Sequence, residues 1–204
     1  MAGDDMEIFG DFLKAIEIMK HPDIVFQEEA ENKGYWPILR FYLGISIVVA
    51  ILTPVVNWFH IPCDIVHAGT NAQMGAYVQA PALEASTGVS RYFWVAILTY
   101  LGNALKFPIL GALFHIFAMI LGGQGTLEDS FKVAVYAAAP VLLLGWVPYF
   151  GLLSGLWTGY LYVVGFWKLH SVDLGKSIAL VNILIGVQLV WALLFGWIGS
   201  SEGW

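Results

Sequence analysis

Charge is the scarcest property of this chain. Asp, Glu, Lys and Arg make up 12% of its 204 residues, against 59% for the apolar types. A soluble domain averages about 25% charged residues. So little charge cannot clothe a polar surface, which excludes an ordinary soluble globule and makes lipid the solvent for much of the chain. Cysteine is almost absent: Cys63 stands alone, which excludes an internal disulfide and leaves the redox compartment unreadable. No basic stretch precedes an apolar core at the N-terminus, so no cleavable signal peptide is expected. No glycine loop followed by Lys-Ser or Lys-Thr is present to cradle a phosphate.

The charge that is present is unevenly placed. Residues 1–35 hold nine acids (Asp4, Asp5, Glu7, Asp11, Glu17, Asp23, Glu28, Glu29 and Glu31) against Lys14, Lys20 and Lys33. Nine minus three accounts for the whole formal charge of −6, because residues 36–204 hold six acids and six bases. An acidic segment is repelled by anionic headgroups and makes a poor membrane-surface anchor. It suits a basic protein partner better, and no nucleic-acid partner is expected. Residues 4–21 read as an amphipathic helix. Asp4 and Asp5 can cap it, Lys20 and His21 suit its last turn, and Pro22 stops it. Phe9, Phe12, Leu13, Ile16 and Met19 make an apolar stripe, with Glu7, Asp11, Lys14, Glu17 and His21 opposite. Such a helix either packs under its own bundle or docks another protein.

Five long apolar runs follow: Trp36–Phe59, Tyr92–Leu121, Phe131–Val147, Tyr149–Trp167 and Ser177–Ile198. About 20 residues suffice to cross the hydrocarbon as a helix. Tyr and Trp mark many of the run ends, as interfacial belts do. The expected fold is therefore all-α, a polytopic membrane bundle of about five transmembrane helices. Residues 1–35 form an acidic cytoplasmic segment and residues 36–204 the transmembrane domain. With the N-terminus inside, Lys14, Lys20, Lys33, Arg40, Lys132, Lys168 and Lys176 fall on the cytoplasmic side and Arg91 outside, a clear positive-inside bias.

Four constellations are candidates for chemistry or close packing. Lys106 sits near the middle of the second run with no acid in any run to neutralise it, and a lysine at mid-bilayer costs about 2.5–3.5 kcal/mol. Thr99, Asn103 and Lys106 share one face. They read either as interhelical hydrogen-bond glue or as a polar cavity for an anionic group such as a lipid headgroup. Ser46, Thr53 and Asn57 form a second polar stripe, and Asn182 is a further polar position. Gly151, Gly155 and Gly159 repeat every four residues, which lets another helix approach closely, within the chain or across a homodimer. His60, Cys63, Asp64 and His67 have a spacing that could bring zinc ligands to one helical face. Pro62 interrupts that run, and a polar membrane-exit loop is the alternative, so no metal is expected.

Enzyme templates fail. Leu152-Leu153-Ser154-Gly155 lacks the first glycine of a rhomboid-type serine motif. Glu28-Glu29 with Lys33 has the wrong basic residue for a prenyl-protein protease. Without a nucleophile and base, catalysis is not expected, and no cofactor is implied.

Between the second and third runs the chain reads Gly122-Gly123-Gln124-Gly125-Thr126-Leu127-Glu128-Asp129-Ser130-Phe131, then Tyr136 and Pro140. Pro148, Gly151, Trp157, Gly165, His170 and Lys176 continue the pattern. This resembles the Yip domain family, membrane proteins named for interaction with Ypt/Rab GTPases. The resemblance implies five spans, a cytoplasmic N-terminus and a non-enzymatic adaptor role in membrane trafficking. The N-terminal segment of about 35 residues is similar to the short prokaryotic-type members, which implies the cell membrane as location. The alternative reading is a transporter or a lipid- or anion-handling protein built around Lys106. At the junction itself, Gly122 and Gly123 allow positive φ, Thr126 can cap the next helix, and Pro140 is expected to kink it.

Overall fold

The computed structural model describes residues 2–58, 89–145 and 150–186, and among the described residues every element is a helix. In chain order these are α1 (Ala2–Lys20), α2 (Pro22–Glu31), α3 (Tyr35–Trp58), α4 (Val89–Ile120), α5 (Leu127–Tyr136), α6 (Ala139–Leu144) and α7 (Phe150–His170). A further apolar helix, α8 (Leu174–Gly186), follows. The all-α expectation holds. Two of the described helices contain stretches long and apolar enough to cross a membrane, Tyr35–Leu52 in α3 and Ala96–Ile120 in α4. Helix α4 has 32 residues and runs through Pro108. At 1.5 Å per residue it is about 48 Å long, more than the hydrocarbon needs.

Pro22 ends α1 and also opens α2. It forces His21 out of helical geometry, to φ −134° and ψ 57°, as the residue before proline usually is. Placed in the first turn of α2, its missing N–H costs no hydrogen bond. The sequence pattern stops at Pro22 and gives no sign of α2.

The apolar stripe of α1 is not its buried face. Asp11, Ala15 and Ile18 are buried, whereas Phe12 and Leu13 are 42% and 49% exposed. Asp11 and Lys14 turn inward because partners wait there, Arg40 for Asp11 and Glu29 for Lys14, while Glu17, Lys20 and His21 stay exposed.

The third apolar run does not form one helix. Helix α5 stops at Tyr136, Ala137 and Ala138 turn, and α6 starts at Ala139. Pro140 cannot donate to the Tyr136 carbonyl and its ring crowds that oxygen. The turn tightens instead, with Ala138 N donating to Val135 O at 3.2 Å. Ala137 and Ala138 keep right-handed helical angles, so proline interrupts the hydrogen-bond ladder of the run where the kink is expected.

Helix α5 lies at the centre of the described fold, against α3, α4 and α7, while α2 packs on α7. Two glycines allow the closest approaches. A Cβ on Gly111 would overlap the Phe131 ring, and one on Gly165 would lie 3.0 Å from both Val133 methyls and 3.4 Å from Phe26. Ala15, Ile18, Val25 and Phe26 join Phe41, Phe114, Val133, Tyr136 and Phe166 in one core. Packing therefore continues from the N-terminal helices into the bundle.

Candidate functional site

The densest set of polar contacts among the described residues surrounds α5. The helix begins with a capping box. Thr126 Oγ1 accepts from Asp129 N at 3.3 Å, and Asp129 Oδ2 accepts from Thr126 N at 2.8 Å. These bonds satisfy orphan donors of the first turn. One turn on, Lys132 is buried at 2% exposure. Its Nζ lies 3.1 Å from Glu128 Oε1 and 3.6 Å from Asp129 Oδ1. It also donates to the Glu29 carbonyl at 2.8 Å and to the Asn32 carbonyl. Those carbonyls belong to the last turn and C-cap of α2, where acceptors lack helical partners and the helix dipole favours a cation. Lys132 thus caps a helix 100 residues away in sequence. Glu128 completes the link by accepting from Gly34 N at 2.8 Å.

One turn further along α5, Tyr136 is fully buried. Its hydroxyl donates to Glu29 Oε2 at 3.0 Å and accepts from Lys14 Nζ at 3.1 Å. Lys14 Nζ also donates to Glu29 Oε1 at 2.7 Å and stands 4.5 Å from the Tyr136 ring centroid. Phe41 meets the same ring edge-on at 5.1 Å. Glu29, Lys14 and Tyr136 thus bind α2, α1 and α5 to one another.

On its other side α5 presents Ser130, also fully buried. Its hydroxyl donates to Thr126 O at 3.3 Å, and its oxygen lies 3.1 Å from His115 Nδ1 and 3.0 Å from His170 Nε2. With its proton given to Thr126, the oxygen has lone pairs for both ring N–H groups. His170 Nδ1 is then buried with no hydrogen-bond partner among the described residues. Burial pushes the His170 imidazole down to about 4, with Asp129 opposing and His115 adding to the shift.

The glycine-rich connection closes over this ring. Gly122 takes φ +83°, a conformation that favours glycine. Gln124 N donates to His170 O at 2.9 Å. A Cβ on Gly123 would lie 2.9 Å from Ala118 O, and one on Gly125 would collide with His170 Nδ1 and lie 2.7 Å from Leu169 O. Only glycine lets the connection seat against the end of α7.

The junction residues singled out in the sequence fall on two sides of one helix. Gly123 and Gly125 meet His170, Tyr136 meets Glu29 and Lys14, and Pro140 is buried where α6 begins. The other candidates lie elsewhere. Asn103 is buried on α4, its carbonyl accepting from Tyr42 Oη at 3.1 Å. Lys106 is half-buried three residues on, and Thr99 lies on the same helix. Asn182 on α8 is exposed and donates to Ile178 O at 2.8 Å. On α7, Gly159 admits Ile185 and Val181 at 3.4 and 3.6 Å from a notional Cβ, whereas one on Gly155 meets no described atom within 4 Å. Gly151 lies in the first turn of the same helix. His60, Cys63, Asp64 and His67 lie outside the described residues.

Sequence reading missed Lys132, Glu29 and His115 as partners. The one local signal was the placement of Lys132 three and four residues after Asp129 and Glu128, a spacing that favours pairing.

Comparison with curated proteins and with solved structures returned no match. Comparison with protein families returned the Yip1 domain, matched over residues 16–196. The match takes in the glycine-rich connection, the helix it starts, and most of the N-terminal segment that this helix holds. The chain belongs to the Yip1 domain family.

Proposed function

We propose that this protein is a non-enzymatic, multi-pass membrane protein that acts as a membrane-organising or trafficking adaptor through protein–protein contacts. In this reading about five helices cross the bilayer and the N-terminal segment lies in the cytoplasm. Family membership supports a membrane protein, the two long apolar stretches agree with it, and the distribution of Lys and Arg supports the orientation.

One observation carries the adaptor reading: from Asp11 onward, the acids of the N-terminal segment divide into two groups. Asp11 and Glu29 are buried and engaged by Arg40, Lys14 and Tyr136. Glu17, Asp23, Glu28 and Glu31 are exposed. The buried acids fix the helices, and the four exposed acids outnumber the exposed Lys20 and Lys33, which leaves a preorganised surface of net negative charge. Preorganisation lowers the ordering cost of binding, and the charge favours a partner with a basic face. The transporter reading around Lys106 gains no support from the family or the fold.

The test uses substitutions rather than deletion, because Ala15, Ile18, Val25 and Phe26 belong to the core. A full-length variant with Glu17→Gln, Asp23→Asn, Glu28→Gln and Glu31→Gln is cross-linked in native membranes. The reading expects fewer cross-linked partners at unchanged thermal stability. An identical partner set contradicts it.

A further inference from the structure

Helix α1 turns part of its apolar stripe outward and two of its charged residues inward. Its outward residues Phe12 and Leu13 are 42% and 49% exposed, while the Asp11 and Lys14 side chains are only 10% and 29% exposed and engaged by inward partners. Exposing Phe12 and Leu13 to water forfeits part of the free energy that burial of such side chains gains. In lipid the preference reverses.

The placement of α1 agrees. Asp11 Oδ2 lies 3.8 Å from a notional Cβ on Gly44, in the first half of α3 and within its apolar stretch Tyr35–Leu52. Arg40, one turn before Gly44, meets Asp11 at 3.3 Å. Just beyond, Ile47 and Ile51 of α3 are 46% and 59% exposed. The exposed residues of α1 also grade along its length, from Phe12 and Leu13 to Glu17 and Lys20, with exposed His21 just beyond, while Met19 packs on the core. An apolar-to-polar gradient running away from a candidate span fits a helix seated obliquely at the boundary between hydrocarbon and water.

We propose that the occupant of this face is the bilayer itself: α1 is seated at the lipid interface, with Phe12 and Leu13 among acyl chains and Glu17 and Lys20 in water. The acidity of the segment does not oppose this seat. Asp11 is paired, and the covalent link to α3 makes insertion effectively intramolecular, so headgroup attraction is not required. The anionic surface would then sit at a fixed height above the membrane.

Site-directed spin labelling of the full chain in liposomes tests this. In a Cys63→Ser background, nitroxides are placed by Phe12→Cys or Leu13→Cys, with Ile51→Cys as the lipid reference and Lys20→Cys as the water reference. All four positions are exposed, so the label is tolerated, and two independent positions on α1 guard against a local failure. The expected result is loss of collisions with a water-soluble nickel complex at positions 12 and 13, with oxygen collisions retained, as at position 51. Nickel collisions at 12 and 13 equal to those at position 20 would place the face in water. Exclusion of both probes would place a protein over it, whether a second copy or another partner. Either result overturns the proposal.

Discussion

The Lys132 ammonium closes the C-terminal end of α2, donating to the Glu29 carbonyl at 2.8 Å across 103 residues of sequence. The same group sits between Glu128 and Asp129, so one buried cation joins the start of the family's motif helix to the end of an N-terminal one. Lys132→Met removes the charge and donors while keeping the length. It leaves two helix-end carbonyls and two partly buried carboxylates without their cation. Breaking a buried pair from one side costs about 3–5 kcal/mol, so thermal unfolding in detergent should move sharply down. An unchanged midpoint would show that the contact is not energetically coupled to the fold.

Tyr136→Phe deletes one oxygen from the Lys14–Glu29–Tyr136 group and leaves the ring in place. The expected loss is about 1 kcal/mol. Because the hydroxyl acts through Glu29, a double-mutant cycle with Glu29→Gln should show coupling, the pair costing less than the sum of its parts. Strict additivity would contradict the hydrogen bonding described.

Gly125, in the connection before α5, and Gly155, on α7, should respond differently to a single methyl group. Gly125→Ala drives a Cβ into His170 Nδ1 and toward the Leu169 carbonyl at 2.7 Å, and overpacking of this kind costs about 1–3 kcal/mol. Gly155→Ala meets no described atom within 4 Å and should be neutral, or slightly stabilising through helix propensity. Thermal unfolding of both variants checks the contrast. Equal losses would refute it.

Acid should weaken the fold through His170. Burial holds its imidazole down to about 4, below the ordinary 6.5 of a solvated histidine. Above pH 6.5 neither state carries the proton, and the group contributes no pH dependence. As pH falls from 6.5 toward 4, the unfolded chain takes up a proton that the buried ring refuses. Stability then drops by an amount on the order of 3 kcal/mol, with the loss complete near pH 4. Carboxylates titrate at the lower end of this window, so the diagnostic is a difference. The unfolding free energy of His170→Asn should vary less with pH than that of the natural chain between 6.5 and 4.5. Parallel profiles would contradict the assignment.

What the sequence made legible was local. The cap at Thr126, the glycine at Gly122 and the stop at Pro22 each depend on the nearest few residues, and each appears in the fold. The division of the third run at Pro140 was half-legible. The residue marked a kink, but whether a helix bends or breaks depends on what packs beside it. The buried face of α1 was not legible, because a helical periodicity argument assumes water on the polar side. Here Arg40 and Glu29, far along the chain, turn Asp11 and Lys14 inward. Lys132 read as one more cytoplasmic cation in a charge count. Nothing near it in sequence announces that the end of α2 lies across from it.

The central claim is that α1 and α2 form part of the folded body, held by α5, and present their exposed acids from a fixed position. Hydrogen–deuterium exchange of the natural chain in lipid nanodiscs tests this most directly, with amides of Phe26–Glu31 compared with those of Val133–Tyr136. The account predicts protection of both segments, and selective loss of protection at Phe26–Glu31 in Lys132→Met. Exchange of Phe26–Glu31 at the rate of an undocked peptide in the natural chain would contradict it.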